Sequence, residues 1–229
     1  KQVVKKKNFK IYDLRNIYTR DEMKQNKIEL LDPNLLDTEE FKIVDYWLKV
    51  FKVEVGWHYY LDLTWQLKEI KKLKLLKGAT IIDAGAGSGL MQFIIASLGY
   101  NVISIDFCEV KASRMYSSIF NISYDSKQVF GNEYINHINN LKSSTKTSKG
   151  LLKVIKKINQ KYIFEFIRTQ IFPYGQIKFV QADFSNLDFL QDNSIDAIIS
   201  TSAIEHNKSV EKLSLSIKEF ERVLKKDAS

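Results

Sequence analysis

This chain of 229 residues holds one cysteine, two prolines and three histidines. A lone cysteine, Cys108, leaves no internal disulfide and no multi-cysteine metal site. His58, His137 and His206 are scattered and make no metal constellation, so no metal is expected. No run of about 18 apolar residues is present, which excludes a predicted membrane-spanning helix. The basic N-terminus is not followed by an apolar segment, so it does not read as a secretory signal. A cytoplasmic location is the expectation. The chain does not begin with Met, and the numbering is expected to start inside a longer chain. Arginine-rich clusters and low-complexity tracts are also missing. The net charge of +8 and pI of about 9.3 raise a nucleic-acid partner as one reading. The lysines are spread along the whole chain, which does not favour it. Hydrophobic content of 45% and charged content of 27% are ordinary for a globular protein, and the length suits one α/β domain with additions.

Against this background one stretch stands out, Thr80 to Leu90, read Thr-Ile-Ile-Asp-Ala-Gly-Ala-Gly-Ser-Gly-Leu. An apolar run ends in Asp83. Gly85, Gly87 and Gly89 follow at alternate positions, and an apolar, helix-like run begins at Leu90. The pattern predicts a buried strand, a tight turn and a helix N-terminus. Without a Cβ the turn can take φ > 0 and let a ligand lie against it. The helix start supplies unpaired N–H groups. The dinucleotide fingerprint Gly-x-Gly-x-x-Gly needs its third glycine one residue later, and the phosphate loop Gly-x4-Gly-Lys-Ser/Thr is absent. Asp83, Gly85, Gly87 and Gly89 instead resemble the Asp-x-Gly-x-Gly-x-Gly turn of class I S-adenosylmethionine-dependent methyltransferases.

Ahead of the turn, Asp37-Thr38-Glu39-Glu40 predicts a helix start, and Phe41, Val44, Trp47, Leu48 and Phe51 recur at helical spacing. A second helix is predicted over Tyr59 to Leu76. Between them lies Gly56-Trp57-His58-Tyr59-Tyr60. In the resembled family such helices cover the cofactor; an aromatic stripe at helical spacing is more often the mark of a core. After the turn, Asn101 to Asp106 predicts a second strand ending in an acid 23 residues after Asp83, where a ribose diol would be gripped. Glu109 to Phe120 is expected to be helical. Residues 121–172 read as an insertion, a substrate lid or dimer surface, with a polar loop at Leu141 to Gly150 and a helix from Leu151 to Phe172 whose stripe is Leu151, Ile155, Ile158, Tyr162 and Phe166. Ile177 to Gln181 predicts a third strand and Ile195 to Ser200 a fourth. Val210 to Lys225 predicts an amphipathic helix.

The resemblance extends over these later segments. Asp183 matches the family position that receives the adenine amino group, Phe107 the apolar neighbour of adenine, and Arg222-Val223-Leu224-Lys225 the end of the family's helix after strand four. It implies a Rossmann-like, doubly wound, mostly parallel α/β sheet with N-terminal helices and a helical insertion. The domains are then 1–77, covering the cofactor site, and 78–229, binding it. The sheet order in that family is three-two-one-four-five-seven-six, and strands five to seven have no counterpart in this sequence. The implied cofactor is S-adenosylmethionine, leaving S-adenosylhomocysteine as product. Its implied contacts are Asp83, Gly85, Gly87, Gly89, Asp106, Phe107, Asp183, Phe184 and Ser200.

The expected reaction is methyl transfer to oxygen or nitrogen of a small-molecule acceptor. RNA or protein methylation, or a non-catalytic cofactor-binding module, are the alternatives. Neither Asn-Pro-Pro-Tyr nor Asp-Pro-Pro-Tyr follows the fourth strand, against base-amino methylation, and no Pro-Cys pair supports cytosine C5 chemistry. A protonated acceptor would need a base. His206, beside Glu205, is the candidate, and Asp62 a weaker one; a structural role for the Glu-His pair is the other reading.

Overall fold

The computed structural model describes residues 31–125, 159–207 and 209–226. The basic stretch Lys1–Lys27, the loop Leu141–Gly150 and residues 151–158 of the expected insertion helix lie outside these, and with them most of the expected lid or dimer surface. The chain divides after Asp32 into two units, and every element named here belongs to the second.

A 3₁₀ turn at Pro33–Asp37 leads into α1 (Glu39–Phe51). The Thr38 hydroxyl caps α1 by accepting from Phe41 N at 3.3 Å, and Glu39 and Glu40 occupy the positive end of its dipole. Next come α2 (Trp57–Lys72), β1 (Thr80–Ala84), α3 (Met91–Ser97), β2 (Asn101–Asp106) and α4 (Arg114–Ile119). The chain continues through β3 (Asn121–Tyr124), α5 (Gln160–Thr169), β4 (Gln176–Gln181), β5 (Ala197–Ser200) and α6 (Val210–Val223).

The five strands form one sheet in the order β3-β4-β2-β1-β5, with every pair parallel. Alternate residues serve opposite faces. Ile81, Val102, Ile177 and Phe179 join α1, α2, α3 and α4 in one core, where Trp47, Phe51, Phe93 and Phe120 pack ring against ring. Ile82, Ile105 and Val180 face the other way, onto Leu187, Phe220 and Val223. This is the doubly wound α/β architecture expected, and β4-β2-β1-β5 reproduces its three-two-one-four arrangement.

Three expectations are corrected. Asn121–Tyr124, read as the start of an insertion, is a strand: it pairs with β4 and adds an outer edge, so the expected third and fourth strands are the fourth and fifth. Tyr124 stacks on Phe179 at 5.6 Å, which anchors a strand of four residues. The final strand starts at Ala197 rather than Ile195, because Ile195 pairs in parallel with Leu224 beyond α6. In α5 the expected stripe does not hold at Phe166, which is exposed; the inward side chain is Glu165, 2% exposed. A buried carboxylate is tolerated only when well bonded. Tyr46 of α1 donates to its Oε1 at 2.6 Å, Tyr174 donates to Oε2, and Arg168 lies 3.4 Å from Oε2. Burial and the adjoining carboxylate push both tyrosine hydroxyls far above their ordinary pKa. Glu165 thereby ties α5 to α1 and to the approach to β4. Tyr46→Phe is expected to cost about 1–3 kcal/mol in urea unfolding, the range for leaving a buried acceptor short of a donor. Tyr59→Phe, at an exposed position, serves as the near-neutral control; equal effects would refute the role given to Glu165.

Candidate functional site

The parallel strands β1, β2 and β5 end together, and open sheets of this kind bind ligands at those carboxyl ends. The glycine turn sits there. Gly85 N and Ala86 N donate to the Ile105 carbonyl at 2.8 and 3.2 Å, which fastens the turn to β2. Gly85 and Gly87 have φ of +79° and +49°, values that glycine reaches without steric cost. A Cβ on Gly85 would lie 2.0 Å from the Ala203 Cβ. The segment after β5 therefore rests directly on the turn.

That segment folds back because Ser202 is itself left-handed, at φ +50°. Gly85 and Ser202 form a shared wall between two cavities. The first, of about 320 Å³, takes in Asp83, Gly87, Gln92, Tyr59, Leu63 and Thr201. The second, of about 440 Å³, takes in Asp106, Phe107, Asp183, Phe184, His206 and Lys212. All the predicted site residues except Ser200 line one or other of these two cavities: Asp83, Gly87 and Gly89 the first, Asp106, Phe107, Asp183, Phe184 and His206 the second, and Gly85 both. Ser200 instead donates its hydroxyl to the Ala84 carbonyl at 2.9 Å, bracing β5 on β1, and Thr201 and Ser202 line the first cavity at this point. The aromatic region before β1 splits between its two readings. Trp47 and Phe51 are core, whereas Tyr59 borders the first cavity and Trp57 is 77% exposed.

Asp106 ends β2 with both carboxylate oxygens engaged: Gly87 N donates to Oδ2 at 2.9 Å and Cys108 N to Oδ1 at 2.8 Å. Each oxygen keeps a further lone pair for a ligand hydroxyl. Asp83 is 2% exposed, and burial, with the Asp106 charge second, pushes its carboxyl up to about 7. No group among the described residues donates a hydrogen bond to it. Gln92, on the same cavity, has both amide atoms buried without a partner. Buried polar groups are ordinarily bonded, so these two are unmet demands in the pocket. Asp183 differs: Lys212 and then Ser185 bond its carboxylate and hold it down to about 2. His206 is exposed on the second cavity, and its ring has no hydrogen-bond partner among the described residues. Asp62 lines neither cavity; burial raises its carboxyl and His58 opposes that. Among the described residues no cluster could hold a metal ion, and no helix is long and apolar enough to cross a membrane.

Sequence reasoning missed Gln66, Gln92 and Lys212. Gln66 is buried in α2, accepts from Thr201 Oγ1 at 2.9 Å and donates to the Ser200 carbonyl at 3.4 Å, so it sets the chain leaving β5. A polar residue on the apolar stripe of a helix was the available signal for both glutamines.

A family model described as "Methyltransferase domain" matches residues 144–229, from within the expected insertion past the end of α6; the glycine turn lies outside the match. No curated protein matches the chain. Among solved structures, a Methanococcus maripaludis protein assigned as an S-adenosylmethionine-dependent methyltransferase is 14% identical, with TM-score 0.37, over 87% of this chain and 62% of that one. A Pyrococcus horikoshii protein is 14% identical, TM-score 0.40, over 82% and 57%. The magnesium protoporphyrin IX methyltransferase of Synechocystis, with bound S-adenosylmethionine, is 15% identical, TM-score 0.36, over 86% and 74%. The chain spans about three fifths of the first two. The matched segment thus sits in a parallel sheet of β4-β2-β1-β5 order and follows a turn, Asp83 to Gly89, of the Asp-x-Gly-x-Gly-x-Gly form.

Proposed function

We propose that this domain binds S-adenosylmethionine across the Gly85–Ser202 wall and passes its methyl group to oxygen or nitrogen of a small, largely apolar acceptor. The observation that carries the reading is the pair of cavities meeting at a glycine turn, with an acid at the end of β2 on one side and unmet buried polar groups on the other. The residues present fit the cofactor. Asp106 suits a ribose diol, and Phe107 and Phe184 flank the nucleoside side. Asp83 asks for a donor, as an amino group would be, and Gln92 for a polar partner. When bound, the cofactor supplies an electrophilic methyl group on a positively charged sulfur.

The chain's own residues do the rest. Val53, Val55, Tyr59 and Leu63 line the first cavity and exclude water from the acceptor's side. Positioning is the main contribution such a site makes. His206 lines the other cavity, so a proton-accepting role for it is not favoured by this arrangement. The lysines are spread along the sequence rather than gathered in an arginine-rich cluster, which keeps the small-molecule acceptor ahead.

The test is calorimetric titration with S-adenosylmethionine and S-adenosylhomocysteine, with a nicotinamide dinucleotide as control. Binding of the sulfur nucleosides alone is expected. Asp106→Ala should weaken it at least about tenfold, since hydrogen bonds to a charged group contribute about 1.5–3 kcal/mol. A folded chain that binds neither sulfur nucleoside would sink the proposal.

A further inference from the structure

We propose that Lys212 reads the nucleobase: its ammonium, held by Asp183, donates to the ring nitrogen beside the amino group that Asp183 accepts. The inference rests on the cofactor reading above and adds a residue to it from a different element. Asp183 follows β4 and Lys212 lies in the first turn of α6, 29 residues further on, yet Nζ stands 2.5 Å from Oδ2. Both side chains border the 440 Å³ cavity together with Phe107 and Phe184.

The carboxylate is fixed before any ligand arrives. Ser185 N and Oγ both donate to Asp183 Oδ1, at 3.0 and 2.7 Å. Lys212 then takes one side of Oδ2 and leaves a lone pair on it. An ammonium carries three N–H donors. Asp183 uses one, and among the described residues nothing else accepts from Lys212. The result is an acceptor and a donor side by side, fixed to each other and facing one cavity. Adenine presents the complement, an amino N–H next to a ring-nitrogen acceptor. As a mere strut the pair would do little, because ion pairs this exposed contribute little to folding.

The experiment titrates S-adenosylhomocysteine and its 7-deaza and 1-deaza analogues, each lacking one ring nitrogen beside the amino group. The proteins are the unaltered chain, Lys212→Met, Lys212→Arg and Lys218→Met. The last removes the same charge from an exposed position on the same helix. The unaltered chain should prefer S-adenosylhomocysteine to one of the two analogues by about tenfold, the worth of a charge-assisted hydrogen bond. Lys212→Met should bind S-adenosylhomocysteine about tenfold more weakly and lose that preference. Lys212→Arg and Lys218→Met should keep it, and thermal melts should show all four folded. Indifference of the unaltered chain to both deaza changes overturns the inference, as does a preference that survives Lys212→Met. So does tighter binding by Lys212→Met, which would mean that Lys212 competes with the base for Asp183. Failure of the unaltered chain to bind S-adenosylhomocysteine at all overturns the cofactor reading, and this inference with it.

Discussion

Gly85→Ala is expected to lower the unfolding free energy by about 2–5 kcal/mol, a large share of what a domain of this kind has. Two costs add. At φ +79° an L side chain is strained by about 1–2 kcal/mol. The new Cβ would also lie 2.0 Å from that of Ala203, and forcing extra atoms into a packed site costs about 1–3 kcal/mol more. Gly78 separates the two, because its φ is +85° but a Cβ there would meet nothing within 4 Å. Gly78→Ala should therefore show the strain alone. Ala203→Gly in the Gly85→Ala background should recover the packing part, since the next nearest atom, the Ala203 Cα, is 3.5 Å away. Denaturant unfolding of the two single variants and the double variant decides it. Equal losses at Gly78 and Gly85, or no recovery with Ala203→Gly, would remove the wall from the account. Ligand binding should fall with Gly85→Ala, because both cavities share that wall.

What could be read from the sequence was whatever has a local cause. The turn at Asp83–Gly89 is visible because φ > 0 demands glycine and buried strands demand apolar runs. The start of α1 is visible because Thr38, Glu39 and Glu40 satisfy its first turn. Asn121–Tyr124 was not visible as a strand: four residues with two polar ones carry too little alternation, and the strand exists because β4 offers a ladder and Phe179 a ring for Tyr124. Glu165 was hidden for a similar reason. A helical stripe places Phe166 inward, but two hydroxyls from α1 and from the turn before β4 make a carboxylate the better occupant. The site divides the same way. Asp83, Asp106 and the glycines are placed by strand ends, which leave local marks. Lys212 meets Asp183 across 29 residues, and Gln66 meets Thr201 across 135. Such contacts depend on how α6 and α2 settle on the sheet, and no spacing rule announces them.

Stability is expected to fall by about 4 kcal/mol between pH 4 and 7 on account of Asp83 alone. Its carboxyl has a reference value of 3.8 and is raised to about 7 in the fold, first by burial and then by Asp106. The sign follows from proton counting. Between those values the unfolded chain has released the proton and the native chain still holds it, so rising pH favours unfolding. Below about pH 4 both states are protonated, above about pH 7 both are ionised, and the slope vanishes at either end. Asp83→Asn removes the group that titrates. It should match the unaltered chain near pH 3 and exceed it by up to about 4 kcal/mol at pH 8. The gain is expected to come at the expense of binding. A ligand that brings a positive charge or a donor to Asp83 favours the carboxylate, so binding below pH 7 should release a proton. Affinity for S-adenosylmethionine should then rise by up to about tenfold per pH unit from 5 to 7 in the unaltered chain and stay flat in Asp83→Asn. Calorimetry in buffers of different ionisation enthalpy counts that proton directly. A flat profile with no proton released would mean that Asp83 meets no ligand. A stability curve that does not fall through this range would mean that the turn opens to water. Asp106→Asn offers the internal check: removing the neighbouring charge should lower the Asp83 carboxyl and shorten the pH window from its upper end.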